Sequence, residues 1–97
     1  CDGLVRPDVV LFGEMLPPAA VAVYEREIAR GFDVMFAVGT TAGFPYIQQP
    51  MLEARARGCV TVEINPDRTP LSRAVHHRLA ATAARALGAL DRALADA

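Results

Sequence analysis

Val34-Met35-Phe36-Ala37-Val38 is apolar without interruption, follows a single acid at Asp33, and stops at Gly39-Thr40-Thr41-Ala42-Gly43. A strand with one solvated face alternates apolar and polar side chains. A run without alternation is buried on both faces, as strands are inside a parallel sheet covered by helices. Cys59-Val60-Thr61-Val62-Glu63-Ile64 is a second strand-like run, broken by Asn65-Pro66-Asp67. Parallel neighbours need a long crossover, usually a helix, rather than a hairpin. The intervening sequence offers one: after Phe44-Pro45-Tyr46-Ile47-Gln48-Gln49-Pro50, residues 51–57 carry a helical pattern that closes on Gly58.

The remaining segments extend this alternation. Leu4-Val5-Arg6-Pro7-Asp8-Val9-Val10-Leu11-Phe12-Gly13-Glu14 passes an Arg-Pro stop signal and becomes an apolar run ending on Gly-Glu. It reads as a short strand leaving the core for an exposed edge. The paired prolines 17 and 18 suit a loop that opens a helix. From Ala19 to Arg30, Ala20, Val21, Tyr24 and Ile28 recur at helical spacing, with Glu25, Arg26, Glu27 and Arg30 set apart, and Gly31 follows the last turn. Residues 71–79 fit either a continued helix or a short edge strand over 74–79, and the strand is the expected form. An Ala-rich helix then runs from about Ala80 to Leu94. Strand, helix, strand, helix, strand is the order of one half of a doubly wound α/β fold, a Rossmann-like parallel sheet of about three to four strands with flanking helices.

Composition narrows the partners. With 10 basic and 11 acidic residues the net charge is -1, which leaves no electrostatic footprint for nucleic acid. Phosphates would have to be held locally by backbone groups. No apolar run reaches the ~18–20 residues of a membrane helix, and no basic segment precedes a signal-like core. A soluble, cytoplasmic protein without a membrane partner is expected. The chain opens on Cys1 rather than Met and is soon inside a strand pattern, so it is expected to be the C-terminal piece of a longer polypeptide. Cys1 and Cys59 lie far apart in unlike settings, which argues against a disulfide scaffold.

Open parallel sheets bind ligands at the carboxyl ends of their strands. Two loops there have suitable residues, Gly39-Thr40-Thr41 and Asn65-Pro66-Asp67. Gly39 permits close backbone approach, the threonine hydroxyls and exposed amides suit phosphate or ribose oxygens, and Asn65 offers both a donor and an acceptor. The dinucleotide fingerprint Gly-x-Gly-x-x-Gly is absent, and a Gly-Thr-Thr turn also serves simply to end a strand. At the other candidate site, an edge carrying Val10 and Phe12 can add an extended peptide to the sheet. The same pattern fits a plain buried strand, although the Glu14 carboxylate beside a Gly hinge is an odd choice for packing alone. Cys59 reads as a core residue. His76 and His77 are adjacent and point in different directions, so they read as surface or packing residues rather than a metal or proton-transfer pair. A lone Cys1 does not make a metal site.

Three ordered motifs together resemble the sirtuin family. Cys1-Asp2-Gly3-Leu4-Val5-Arg6-Pro7-Asp8-Val9-Val10-Leu11-Phe12-Gly13-Glu14 is similar to the segment that runs from the last zinc cysteine of sirtuins into their substrate-binding loop. Val38-Gly39-Thr40-Thr41 resembles their Val-Gly-Thr-Ser turn, and Glu63-Ile64-Asn65-Pro66 their Glu-Ile-Asn stretch. The resemblance implies the C-terminal half of a bacterial-type NAD-dependent protein-lysine deacylase, a transferase. In such an enzyme the acyl-lysine carbonyl oxygen attacks the ribose C1′ of NAD, nicotinamide leaves, and a histidine base drives collapse to free lysine and O-acyl-ADP-ribose.

Position by position, the resemblance implies that Val10, Phe12, Gly13 and Glu14 bind the peptide and line the acyl-lysine tunnel. It implies that Gly39, Thr40, Thr41, Asn65, Pro66 and Asp67 contact NAD, that Ala80 stands near the late adenine contact, and that Cys1 is the fourth ligand of a structural zinc. Residues 1–97 would then be a partial NAD-binding domain, with Cys1 the last remnant of a small zinc module. Thr41 stands where sirtuins have Ser, Phe44-Pro45-Tyr46 replaces a Val-Tyr-Pro-like run, and Arg78-Leu79-Ala80 replaces the late Gly-x-Ala. The family's Gly-Ala-Gly-x-Ser loop, Gln-Asn-x-Asp motif, catalytic histidine and other three zinc cysteines are not among these 97 residues, so the chain alone is expected to be inactive. Two alternatives remain open from the sequence. One is the nucleotide-binding half of a flavin or thiamine-diphosphate enzyme, and the other is a non-catalytic peptide-binding remnant.

Overall fold

The computed structural model describes residues 3–6, 9–10 and 13–97, with Tyr46 described by its backbone only. The chain divides into two compact units, Cys1–Arg30 and Gly31–Ala97.

In the first unit, α1 spans Pro18–Arg30 and buries none of its residues within the chain. The stretch before it is not a strand in its described residues. Val9 and Val10 are both about half exposed, Gly13 takes a left-handed φ of 83°, and Leu11 and Phe12 lie outside the described residues. The Arg6 guanidinium explains the difference from the expected strand, because it donates to the Val9 carbonyl at 3.1 Å and to Glu14 Oε1 at 2.8 Å. Eight residues of extended chain would separate Arg6 from Glu14 by about 26 Å. An ion pair at contact distance therefore requires the segment to fold back as a loop.

The second unit contains β1 (Val34–Val38), α2 (Pro45–Ala56), β2 (Val60–Ile64), β3 (His77–Leu79) and α3 (Ala83–Ala95). The strands form one sheet in the order β1-β2-β3, and both pairs are parallel. Side chains alternate across a strand, and the two packing clusters lie on the two faces of the sheet, one built on β1 and the other on β2. On one face, Ala37 packs with Ala42, Met51 and Leu71, backed by Met35, Ile47 and Val75. On the other, Val62 and Ile64 pack with Ala86 of α3, backed by Ala81 and Leu90. Helices thus cover both faces of β2, as its unbroken burial from Thr61 to Ile64 requires.

Element limits differ from the sequence expectation at two helices. α2 begins six residues early, with Pro45 in the first turn and Pro50 inside. Proline at the first position costs little because that N–H has no helical partner, whereas an interior proline costs ~3 kcal/mol. Ile47 and Met51 share a face four residues apart and both pack into the core. Burying such side chains contributes up to about 1.5–3 kcal/mol each, enough to carry the helix through Pro50. α3 starts at Ala83 rather than Ala80, because Thr82 caps it by accepting from the Arg85 N–H at 3.3 Å. The edge strand expected over 74–79 is present but shorter, spanning only His77–Leu79.

Candidate functional site

The register Val38↔Ile64 brings the ends of β1 and β2 level, so the loops that follow leave the sheet side by side. The Gly39 N–H donates to the Ile64 carbonyl at 2.9 Å, extending the ladder by one residue before the chain turns. Gly39 turns at φ 64°, and a Cβ built there would meet no atom within 4 Å. Glycine is required by backbone conformation rather than crowding, and the space above it stays open. The Thr40 hydroxyl accepts from the Ala42 N–H at 3.1 Å. Ala42 is fully buried in a left-handed conformation, φ 53°, and its carbonyl accepts from the Gln48 side chain. A left-handed alanine costs ~1–2 kcal/mol, and such strain gathers where a loop must hold one shape. The N–H groups of Thr40 and Thr41 take no partner among the described residues. Together with the Thr41 hydroxyl they form a donor set suited to phosphate or ribose oxygens.

Asn65 ties this loop to the next. It is 8% exposed, and its N–H donates to the Leu79 carbonyl at 3.1 Å. Its side-chain amide donates to the Thr40 carbonyl at 3.1 Å, while its Oδ1 accepts from the Asp67 N–H at 2.9 Å. Pro66 and Asp67 are exposed beside it. Ala80 follows the last residue of β3 and is also exposed. The carboxyl ends of three parallel strands therefore gather all seven expected nucleotide-side residues along one edge of the sheet.

The expected peptide-side residues lie in the first unit. There Val10 is about half exposed, Gly13 forms a turn, and Glu14 is paired with Arg6 at 2.8 Å. Phe12 and Cys1 fall outside the described residues. Among the described residues no cluster of three His, Cys, Asp or Glu side chains is arranged to hold a metal ion, and Cys59 is buried and unpaired. A four-ligand zinc site is therefore not contained in these residues. His76 is an exposed residue tied to β2: its Nδ1 accepts from the Thr61 N–H at 3.1 Å, and its own N–H donates to the Thr61 hydroxyl at 3.1 Å.

Sequence reasoning missed a buried polar group beneath the second loop. Glu63 is 1% exposed and accepts from the Thr69 hydroxyl and, at 2.5 Å, from the Ser72 hydroxyl. Arg78 Nε stands 3.5 Å away. The available signal was one charge inside the otherwise strand-forming Val60-Thr61-Val62-Glu63-Ile64, since a buried carboxylate requires partners.

A parallel sheet wound by helices on both faces, with a glycine turn, free amides and an asparagine at its carboxyl edge, defines a Rossmann-like α/β unit. The model of the Sir2 family matches residues 1–44, and an NAD-dependent protein deacylase of Corynebacterium glutamicum is 46% identical over 95 residues, covering 97% of this chain and 36% of that protein. The chain belongs to the Sir2 family, the sirtuins. NAD-dependent protein deacylase 2 of Pseudomonas aeruginosa is 52% identical over 75 residues, covering 77% of this chain and 29% of that protein. A solved Sir2 homolog–NAD complex matches with a TM-score of 0.86 at 38% identity, covering 99% of this chain and 37% of that one. The chain thus spans about a third of the length of these relatives. Membership of this family sets aside the flavin and thiamine-diphosphate alternative.

Proposed function

We propose that the polypeptide carrying this chain is an NAD-dependent protein-lysine deacylase, and that these residues form part of its nucleotide-binding half and its substrate loop. The observation that carries the reading is the convergence of Gly39, Thr40, Thr41 and Asn65 at the carboxyl edge of a parallel sheet. It supports the reading because the relatives and the NAD-bound structure belong to the same family. NAD is consumed as co-substrate: acyl-lysine, NAD and water become lysine, nicotinamide and O-acyl-ADP-ribose, with ribose C1′ as the electrophile that takes the acyl oxygen.

This chain's share of the work is binding and orientation. The Thr40 and Thr41 amides and the Thr41 hydroxyl hold nucleotide oxygens, Gly39 keeps the approach open, and Asn65, Pro66, Asp67 and Ala80 form the neighbouring wall. Val10, Phe12, Gly13 and Glu14 receive the acylated peptide. Cys1 supplies one ligand to a structural zinc whose other three ligands lie outside this sequence. The catalytic base lies outside it too, because His76 is committed to Thr61 and His77 sits on the exposed side of β3. The protein acts in the cytoplasm.

The test is mass-spectrometric assay of the full-length protein on an acetyl-lysine peptide, with and without NAD. Deacylated peptide and O-acetyl-ADP-ribose are expected only with NAD. Turnover without NAD, or no turnover on any acyl-lysine peptide, overturns the reading.

A further inference from the structure

Glu63 is a buried carboxylate in a strand where an apolar residue would pack at less cost. Taking a carboxylate out of water carries a penalty of several kcal/mol, which only good partners offset. The parallel fold does not require an acid at this place, so its explanation lies in what it holds. The register sets Glu63 directly beside Arg78 of β3. Besides its Nε, 3.5 Å from Glu63 Oε1, the Arg78 guanidinium donates through Nη2 to the carbonyls of Asn65 at 3.3 Å and Pro66 at 3.5 Å.

Those two carbonyls belong to the turn at the nucleotide edge. In a planar trans peptide the C=O and the following N–H point in opposite directions. Holding the Pro66 carbonyl toward Arg78 therefore turns the Asp67 N–H the other way, where it donates to Asn65 Oδ1. That bond fixes the rotation of the Asn65 amide, whose Nδ2 in turn holds the Thr40 carbonyl. A continuous path of hydrogen bonds and one ion pair thus runs from a carboxylate sealed from solvent to both loops of the nucleotide edge. Thr69 and Ser72 anchor its buried end.

We propose that Glu63 and Arg78 are positioning residues for the nucleotide, acting through the Asn65–Asp67 turn and the Thr40 loop. The inference rests on the NAD reading given above and adds two residues to it. An arginine suits the task because its planar fork serves a carboxylate and two carbonyls at once, whereas a lysine ammonium is a single point charge.

The test uses Arg78→Lys, Glu63→Gln and Ser72→Ala in the full-length protein, with steady-state kinetics and calorimetric titration of NAD. For Arg78→Lys, KM and Kd for NAD are expected to rise about tenfold, the scale of one or two lost hydrogen bonds to a charged group. KM for the acyl-peptide and kcat at saturating NAD should stay within about twofold, since such a split marks lost ground-state binding. Glu63→Gln and Ser72→Ala should shift NAD affinity in the same direction by smaller factors. Unchanged NAD affinity in all three variants overturns the inference while leaving the deacylase reading intact, and so does an equal loss of affinity for NAD and peptide. If Arg78→Lys does not fold, the milder Ser72→Ala decides by the same split. If the wild-type protein neither binds NAD nor turns over, the functional reading fails and the inference fails with it.

Discussion

Asn65 shows how much one side chain carries at the carboxyl edge of the sheet. Both ends of its amide have protein partners, the Thr40 carbonyl and the Asp67 N–H, so its first task is to hold two loops in register. Replacing Asn65 with Ala strands both partners at a nearly closed position, and an unsatisfied buried group costs ~1–3 kcal/mol. Full-length Asn65→Ala is therefore expected to melt several degrees lower and to bind NAD at least tenfold more weakly. Asn65→Asp keeps the acceptor for Asp67 but sets a carboxylate oxygen against the Thr40 carbonyl, so it should lose affinity too. Thermal melts with and without NAD measure both effects.

Gly39→Ala forces a Cβ into φ 64°, at a cost of ~1–2 kcal/mol, without a clash because the space there is open. Its fall in melting temperature should therefore be that of backbone strain alone, and a drop far beyond this range would show that the turn is crowded. Gly39, Thr40 and Asn65 were legible in the sequence because each directly follows a strand run, where open sheets present their loops. Glu63 and Arg78 were not. They stand 15 residues apart and meet only because β3 lies beside β2, a neighbourhood that no local pattern encodes.

At the scale of elements, the two strand-like runs identified β1 and β2 to within one residue, but the burial on both faces expected of an unbroken apolar run holds only for β2, since Val34, Phe36 and Val38 of β1 stay exposed. The opening stretch has a similar apolar run and yet folds back on the Arg6–Glu14 pair. Hydrophobicity reports burial, but a strand also needs a neighbour to take its backbone hydrogen bonds. α2 shows the converse: local signals stopped it at Pro50, and packing of Ile47 and Met51 overrode them. The price of that override should be measurable. Pro50→Ala restores an N–H to the helix interior, and alanine is favoured there by up to ~3 kcal/mol, part of which the present packing has already relieved. A gain of about 1–2 kcal/mol is expected in chemical denaturation of the full-length protein. A loss would mean that the proline ring itself fills a needed space beside Met51.

At the scale of the molecule, the second unit contains a sheet that is finished on one side only. α3 covers Val62 and Ile64, but on the same face Val34, Phe36 and Val38 of β1 remain 44%, 46% and 37% exposed. Among the described residues, β1 also has a strand on one flank only. Exposed apolar side chains beside an unpaired strand edge are a template for association. The 97-residue chain expressed alone is therefore expected to bind a hydrophobic dye and to run as aggregates or oligomers in light scattering at micromolar concentration. Phe36→Lys should reduce both effects, because a charge on an open strand face opposes edge-to-edge pairing. The same substitution in the full-length protein should destabilise it if further chain covers that face there, by the cost of burying an unpaired charge. A wild-type chain that stays monomeric and leaves the dye dark would show instead that β1 is stable as an open edge. An unchanged melting temperature for full-length Phe36→Lys would show that this face stays in water throughout.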